Sequence, residues 1–397
     1  MLNKNVIQDL LNEALVTGAD FAELFFEDTN QEAIRVTSKD VSNVSFNNVH
    51  GVGVRLIKNN DVVYGYSNDV SEEKVRALVM SLSASFSGDK KEATPLREAL
   101  PFDNKVKRPM ESVPASEKTE KLLALSDVIL SHDPRIVQSI TQLLSWKQSI
   151  LVANSNGVYQ NDERHYARVI LMGVASENGQ MQQVFEGPGR AMGFEIFDDV
   201  NPFELAKDVA ERAIHMLSAQ PIVAQEMPVV LANGWGGVIF HEACGHPLEA
   251  TAVAKGLSPF TGKLGQAIGS SVVTAYDDGD VDGAWGRTSF DDEGMKTQKN
   301  LLIENGILKS YLVDYRNGLT MHHKPTGSGR RQNYKFPPTS RMNTTYIAPG
   351  KDKVEDIIKD TKYGLYAKQL GGGQVSPATG EFNFSVSEGY MIEDGKL

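Results

Sequence analysis

The sequence predicts an α+β protein with an N-terminal helix–sheet domain, a middle hairpin and helix region, and a β-rich C-terminal domain carrying an HExxxH helix. Three observations predict it. Apolar residues recur at helical spacing in a few separate stretches, and β-branched runs punctuated by Asn-Gly and Asn-Asn turns lie between them. Beyond about residue 270, frequent Gly, Asp and Asn turns cut the chain into short strand-like pieces.

The first domain, residues 1–100, opens on Val6, Leu10, Leu11, Ala14 and Leu15, whose spacing predicts a helix over 5–16 with one apolar face. Strands are expected over 21–27, 32–37, 51–58 and 61–66, with Asn59-Asn60 forming a tight turn between the last two. Asp69 and Glu72 resemble a capping box ahead of a helix over 72–86. The polar stretch 87–94 closes this block.

The middle domain, residues 101–224, begins with the Pro- and charge-rich segment 101–114. Ser116 and Glu117 start a helix that runs to Leu130, and two hairpins follow with turns at 154–157 and 177–179. Asn201-Pro202-Phe203-Glu204 supplies an N-cap, a first-turn proline and a third-position glutamate for a helix to Ser218. Leu205, Val209, Ala213 and Leu217 repeat every fourth residue along it, so one face packs.

The C-terminal domain, residues 225–397, starts with a short strand over 228–232. Gly234-Trp235-Gly236-Gly237 then leads into the motif helix. Leu302–Gly306 and Met391–Gly395 both resemble a strand ending in a hairpin turn. The first has a returning strand, Ile307–Val313. The second is followed only by Lys396 and Leu397, which leaves Tyr390–Glu393 without a sequential partner.

Composition narrows the functional classes. Against 40 Lys and Arg stand 51 Asp and Glu, a net charge of −11. Nucleic-acid phosphates need concentrated cations, and the longest basic cluster, Lys105-Val106-Lys107-Arg108, reads as a solvated linker. Neither a nucleic acid nor a membrane is the expected partner. No segment approaches the roughly 20 apolar residues of a membrane helix, and 227–240 is broken by Pro228, Asn233 and glycines. Cys244 is the single cysteine, so no intramolecular disulfide forms. Asp9 and Glu13 stand where a secretory signal needs an apolar run, and the expected setting is cytoplasmic.

The chemistry concentrates at His241-Glu242-Ala243-Cys244-Gly245-His246, an H-E-x-x-x-H pattern one residue longer than the H-E-x-x-H of zinc peptidases. At about 100° per residue, positions i and i+4 differ by about 40°, whereas i and i+5 differ by about 140°. A regular helix would therefore aim the two imidazoles apart. Gly245 relaxes the backbone and Pro247 cannot donate to the carbonyl of Ala243, so a bulge or kink is expected to rotate His246 back. His241 and His246 are then candidate metal ligands, and Glu242 the candidate base that takes a proton from metal-activated water.

Several other features compete with plainer roles. Cys244 lies three residues after His241 and is either a further ligand or a small buried cysteine. His322-His323 is a second source of ligands or an exposed turn. Asp291-Asp292-Glu293-Gly294 could hold a cation or a substrate amine, or be an ordinary acidic turn. Gly327–Arg331 could offer arginines to a substrate carboxylate, and Gly371-Gly372-Gly373-Gln374-Val375 close approach to a peptide backbone.

These motifs together resemble the TldD/PmbA family and its TldD-type subunit, in order and spacing, from the HExxxH segment through Ser387-Glu388-Gly389-Tyr390. The resemblance implies a cytoplasmic Zn2+ metallopeptidase acting on peptides or unfolded protein segments. It also implies a dimer, either a homodimer or a heterodimer with a PmbA-like subunit that lacks the zinc motif, and an older association with DNA gyrase. By matching positions, His241 and His246 are implied as ligands and Glu242 as catalytic base. TldD-like proteins continue past the Glu-Asp-Gly turn and supply a cysteine ligand there. The expectation is accordingly a truncated chain whose third ligand lies beyond Leu397, with a non-catalytic scaffold or partner protein as the alternative function.

Overall fold

Asp28-Thr29-Asn30-Gln31 looks too polar for the middle of a strand, yet one strand runs straight through it. Asp28 pairs with His50 on one side and Ser149 on the other, so both flanking ladders hold the polar stretch extended. The chain is described by a computed structural model covering residues 2–102, 106–223, 225–376 and 379–397. Lys105 of the basic run and part of the 101–114 linker lie outside the described residues.

The chain divides into two units by its internal contacts. The first comprises the chain to Gln220 with Asp282–Met295 and Arg331–Pro337. Its elements are α1 (Lys4–Ala14), β1 (Phe21–Thr37), β2 (Asp40–Lys58), β3 (Asp61–Ser67), α2 (Glu72–Ser83), α3 (Ala115–Ser131), β4 (Ile136–Asn154), β5 (Tyr159–Glu177), β6 (Gln180–Glu186), β7 (Gly189–Arg190), α4 (Ile196–Asp199) and α5 (Pro202–Met216). The strands form one antiparallel sheet in the order β3-β2-β1-β4-β5-β6, with β7 beside β5.

Alternation along β1 shows how this sheet is buried. Ala22, Leu24 and Phe26 join Leu10, Leu11 and Val79 of α1 and α2 in one apolar cluster. Phe25 instead belongs to a second cluster with Ile150, Val152 and Tyr334. Both faces of the strand's first half are covered, and the burial is continuous. Farther along, Ile34 and Val36 pack with Leu122, Leu125 and Val209 of α3 and α5. Each such fully buried aliphatic side chain contributes about 1.5–3 kcal/mol.

Turns fall where the asparagines predicted them, with Asn59 at φ 52° and Asn178 at φ 51°. The caps differ from expectation. Ser71, not Asp69, stands at the N-cap of α2, while Asp69 Oδ1 accepts from the Ser71 amide at 2.9 Å. Asn201 is left-handed at φ 44° and makes no side-chain cap, although Pro202 does open α5. An Asx turn competes with capping for the same side-chain oxygen, which explains the Asp69 case.

The second unit comprises Pro221–Val281, Lys296–Arg330 and Pro338–Leu397. It contains β8 (Val229–Leu231), α6 (Gly237–Phe240), α7 (Ala250–Val253), β9 (Ala275–Asp278), β10 (Lys299–Glu304), β11 (Ile307–Leu308), α8 (Tyr315–Met321), β12 (Gly329–Arg330), β13 (Thr339–Ser340), β14 (Thr344–Ile347), α9 (Val354–Asp360), β15 (Tyr363–Val375) and β16 (Phe382–Glu393). Three small sheets result, ordered β11-β10-β9-β14, β12-β13 and β16-β15-β8.

Two expectations need correction here. The returning strand after Asn305-Gly306 stops at Leu308, because Leu312 leaves the hairpin to exchange backbone bonds with Leu248 and Ala250. Tyr390–Glu393 does have a partner, since it pairs with Tyr363–Tyr366 of β15. The partner is the strand that precedes β16 in the chain, not one that follows the Asp394-Gly395 turn. The architecture is α+β with a β-rich C-terminal region, as expected. Among the described residues no helix is long and apolar enough to cross a membrane.

Candidate metal centre

The segment carrying the motif is short and tightly built. After α6, residues His241–Gly245 form a π turn in which the His246 amide donates to the His241 carbonyl, and His246–Leu248 continue as a 3-10 turn. This i to i+5 bond widens the turn by one residue and absorbs the extra position in H-E-x-x-x-H. Pro247 has no amide to restore the tighter pattern. Gly245 sits close to Met342, because a Cβ there would lie 2.1 Å from Met342 Sδ and force that side chain to move. Phe240 and Leu248 anchor the two ends in an apolar cluster with Val253, Leu302 and Leu312.

The π turn places the rings of His241 and His246 perpendicular, with centroids 4.7 Å apart. His246 Nε2 stands 3.8 Å from Glu242 Oε2. One ligand atom each from His241, Glu242 and His246 can lie within 4.8 Å of the others, and all three side chains are half-buried. The two histidines shift in opposite directions. Burial, and then the positive charge on His246, lowers the pKa of His241. A hydrogen bond to Glu249 raises that of His246.

Cys244 is not in this group. It packs against the apolar cluster, and burial pushes its thiol up to about 11, so it stays protonated at neutral pH. His322 and His323 are exposed and also lie outside the group. Two residues near the centre went unassigned in the sequence. Glu249 accepts from His246 Nδ1 at 3.0 Å, and Arg341 Nη1 reaches Glu249 Oε2 at 3.2 Å. The i, i+3 spacing from His246 was the available signal for Glu249, whereas nothing local marks Arg341.

The remaining motifs take structural roles. Asp291 Oδ1 closes its own turn by accepting from the amides of Glu293 and Met295, both at 2.9 Å. Asp292 pairs with Arg164 at 2.7 Å, and Glu293 with Arg55 at 2.8 Å. Arg331 pairs with Glu23 and donates its amide to Asp292 at 2.7 Å. These charges are spent on one another rather than offered to a ligand. In the glycine run of β15, a Cβ at Gly373 would lie 2.1 Å from the Phe384 ring, and one at Gly371 2.3 Å from Ser385 Oγ. Those glycines make room for β16 side chains.

An α+β fold that brings two imidazoles and a carboxylate together on a π turn defines a class of protein with a candidate metal centre. Comparison with known proteins narrows it. Profiles of the PmbA/TldA metallopeptidase domain 1, central domain and C-terminal domain match residues 22–84, 108–217 and 224–397. A metalloprotease TldD homolog of Buchnera aphidicola is 33% identical over 100% of this chain and 85% of its own length. A zinc metalloprotease TldD homolog of Saccharolobus solfataricus is 31% identical over 57% of this chain and 51% of its own. Among solved structures, the Thermotoga maritima protein TM0727 superposes with a TM-score of 0.83 at 20% identity, over 99% of this chain and 89% of that one. TldE from Thermococcus kodakarensis gives 0.77 at 22% identity, over 98% and 88%. The chain belongs to the PmbA/TldD metallopeptidase family.

Proposed function

We propose that this protein is a zinc-dependent peptidase that hydrolyses peptides or unfolded protein segments, with His241 and His246 as metal ligands and Glu242 as catalytic base. The observation that carries this reading is the π turn, which converges two imidazoles and a carboxylate that a regular helix would separate. The two imidazoles suit zinc, and a hydrolytic zinc site takes one further protein ligand besides the pair that His241 and His246 would supply. The names of the Buchnera and Saccharolobus relatives support the same reading.

What a zinc ion supplies when bound is Lewis acidity toward water and toward a peptide carbonyl. The chain's own groups do the rest. Glu242 accepts the proton of the attacking water at its carboxylate and returns it to the departing amide nitrogen as the C–N bond breaks. The lowered pKa of His241 keeps one imidazole neutral and available. We read the working form as cytoplasmic and dimeric, pairing with itself or with a PmbA-like subunit.

The test replaces Glu242 with Gln and follows cleavage of an unfolded protein and a mixed peptide library at saturating zinc. Cleavage should fall by about 100-fold or more, the usual scale for removing a general base, while zinc content and subunit assembly stay unchanged. A variant that loses zinc instead would make Glu242 a ligand. Cleavage that survives the change, or that is absent from the parent protein, would overturn the catalytic reading in favour of a scaffold.

A further inference from the structure

Glu249 lies on the side of His246 away from the ligand cluster. Its position is set by backbone constraints rather than by the metal motif. The residue is extended, at φ −67° and ψ 127°, and heads α7. Leu248 and Ala250 on either side are fully buried. The Ala250 amide donates to Leu312 O at 2.8 Å, and the Leu312 amide to Leu248 O at 3.0 Å, so the backbone is clamped on both sides of Glu249. The glutamate side chain is 8% exposed.

Within that frame the carboxylate has two partners. Oε1 accepts from His246 Nδ1 at 3.0 Å. Arg341 Nη1 donates to Oε2 at 3.2 Å and lies 3.4 Å from Oε1. Arg341 Nη1 also lies 3.5 Å from His246 Nδ1, but a guanidinium cannot accept a proton and the carboxylate is nearer. An ionised carboxylate can only accept, so the His246 proton sits on Nδ1. In the neutral ring Nε2, the nitrogen 3.8 Å from Glu242, then carries the lone pair on the side of the cluster.

We infer that Glu249, held by Arg341, is a positioning residue that fixes the tautomer and ring orientation of His246 so that Nε2 is presented as a metal ligand. A carboxylate on the far nitrogen of a ligating histidine also raises the basicity of the near one, and losing such a partner typically lowers metal affinity about 10–100-fold. Arg341 supplies the charge that keeps the carboxylate engaged, by a hydrogen bond that strengthens with ionic character. The metal-affinity part rests on the ligand reading above, and the tautomer part does not.

The experiment therefore has two arms, using the full chain and its Glu249→Ala, Glu249→Gln and Arg341→Met variants. The first arm records nitrogen–proton correlations of histidine side chains in metal-free, 15N-histidine-labelled protein. His246 should carry its proton on Nδ1 in the parent chain and shift toward the Nε2-protonated form in Glu249→Ala. The second arm measures zinc affinity by chelator competition. Glu249→Ala should lose about 10–100-fold, and Glu249→Gln less, because its amide oxygen still accepts from Nδ1. A Glu249 that ligated zinc itself would instead make both variants equally weak. Arg341→Met should fall between the parent and Glu249→Ala. An unchanged His246 tautomer in Glu249→Ala would overturn the proposal. A parent chain that keeps the predicted tautomer but takes up no zinc would overturn the ligand reading and leave the positioning role standing.

Discussion

Two clusters of charged side chains, one in each unit, use the same residue types to opposite ends. In the first unit Glu23, Arg55, Glu293, Arg331, Asp292 and Arg164 pair with one another, with side chains no more than 5% exposed. Every carboxylate there meets a guanidinium, and the cluster ties Asp282–Met295 and Arg331–Pro337 onto the long sheet. In the second unit His241, Glu242 and His246 converge with acceptor atoms facing one another, and the nearby cation, Arg341, is engaged by Glu249. Charges that satisfy each other hold structure together. Three potential ligand atoms within 4.8 Å of one another make the second cluster a candidate metal group.

The sharpest way to break this contrast is a pair of substitutions. Glu23→Gln should destabilise the first unit by about 3–5 kcal/mol, the cost of leaving buried cations short of a partner. It should leave zinc uptake unchanged. His241→Ala should abolish stoichiometric zinc while leaving urea unfolding of the metal-free chain nearly unmoved. If His241→Ala proved the more destabilising in the metal-free chain, the division between structural and ligand-binding charges would fail.

A smaller effect is expected at Gly245. Ala at this position forces its Cβ against Met342 Sδ, and overpacking of this kind costs about 1–3 kcal/mol. Zinc affinity should drop with it, because the π turn would have to shift. Trimming the sulfur by adding Met342→Ala should recover part of both losses, and calorimetry with chelator competition reads the two together. No recovery would mean that the contact does not shape the turn.

The remaining effect is the pH response of Tyr64, whose hydroxyl accepts from Arg331 of the first cluster at 3.2 Å. Burial, reinforced by the charge of Glu23 and opposed by Arg331, raises Tyr64 from about 10 to about 12. A folded-state pKa above the unfolded one gives a contribution that is fully present below about 10 and lost as pH rises through about 12. Thermal unfolding should therefore show a downward slope across that window, and Tyr64→Phe should flatten it. A slope of the same steepness in Tyr64→Phe would assign the loss to other groups.

Much of the secondary structure was legible because it is local. The helices of the first unit follow apolar spacing, and the hairpins turn at Asn59 and Asn178, where a left-handed backbone favours asparagine. The need for a distorted turn at His241–His246 could also be argued from Gly245 and Pro247. What stayed hidden was long-range. Glu23 and Glu27 look like solvent-facing positions of β1, yet both are buried under segments that arrive about three hundred residues later in the chain. Asp291–Gly294 and Arg331 looked like candidate ligand binders for the same reason, since their counter-charges lie on distant strands.

The sequence by itself determined the α+β class, the hairpin turns and the single position at which a five-residue histidine spacing could be bent closed. Periodicity, left-handed turns and a missing proline amide act over a few residues and need no partner. Only the tertiary structure decided which charges are neutralised and which stay available. Pairing energies depend on distance and burial, and those are set when Arg55 and Arg331 both meet Glu23 of β1 and Glu293 meets Arg55, while Glu249 comes to rest behind His246.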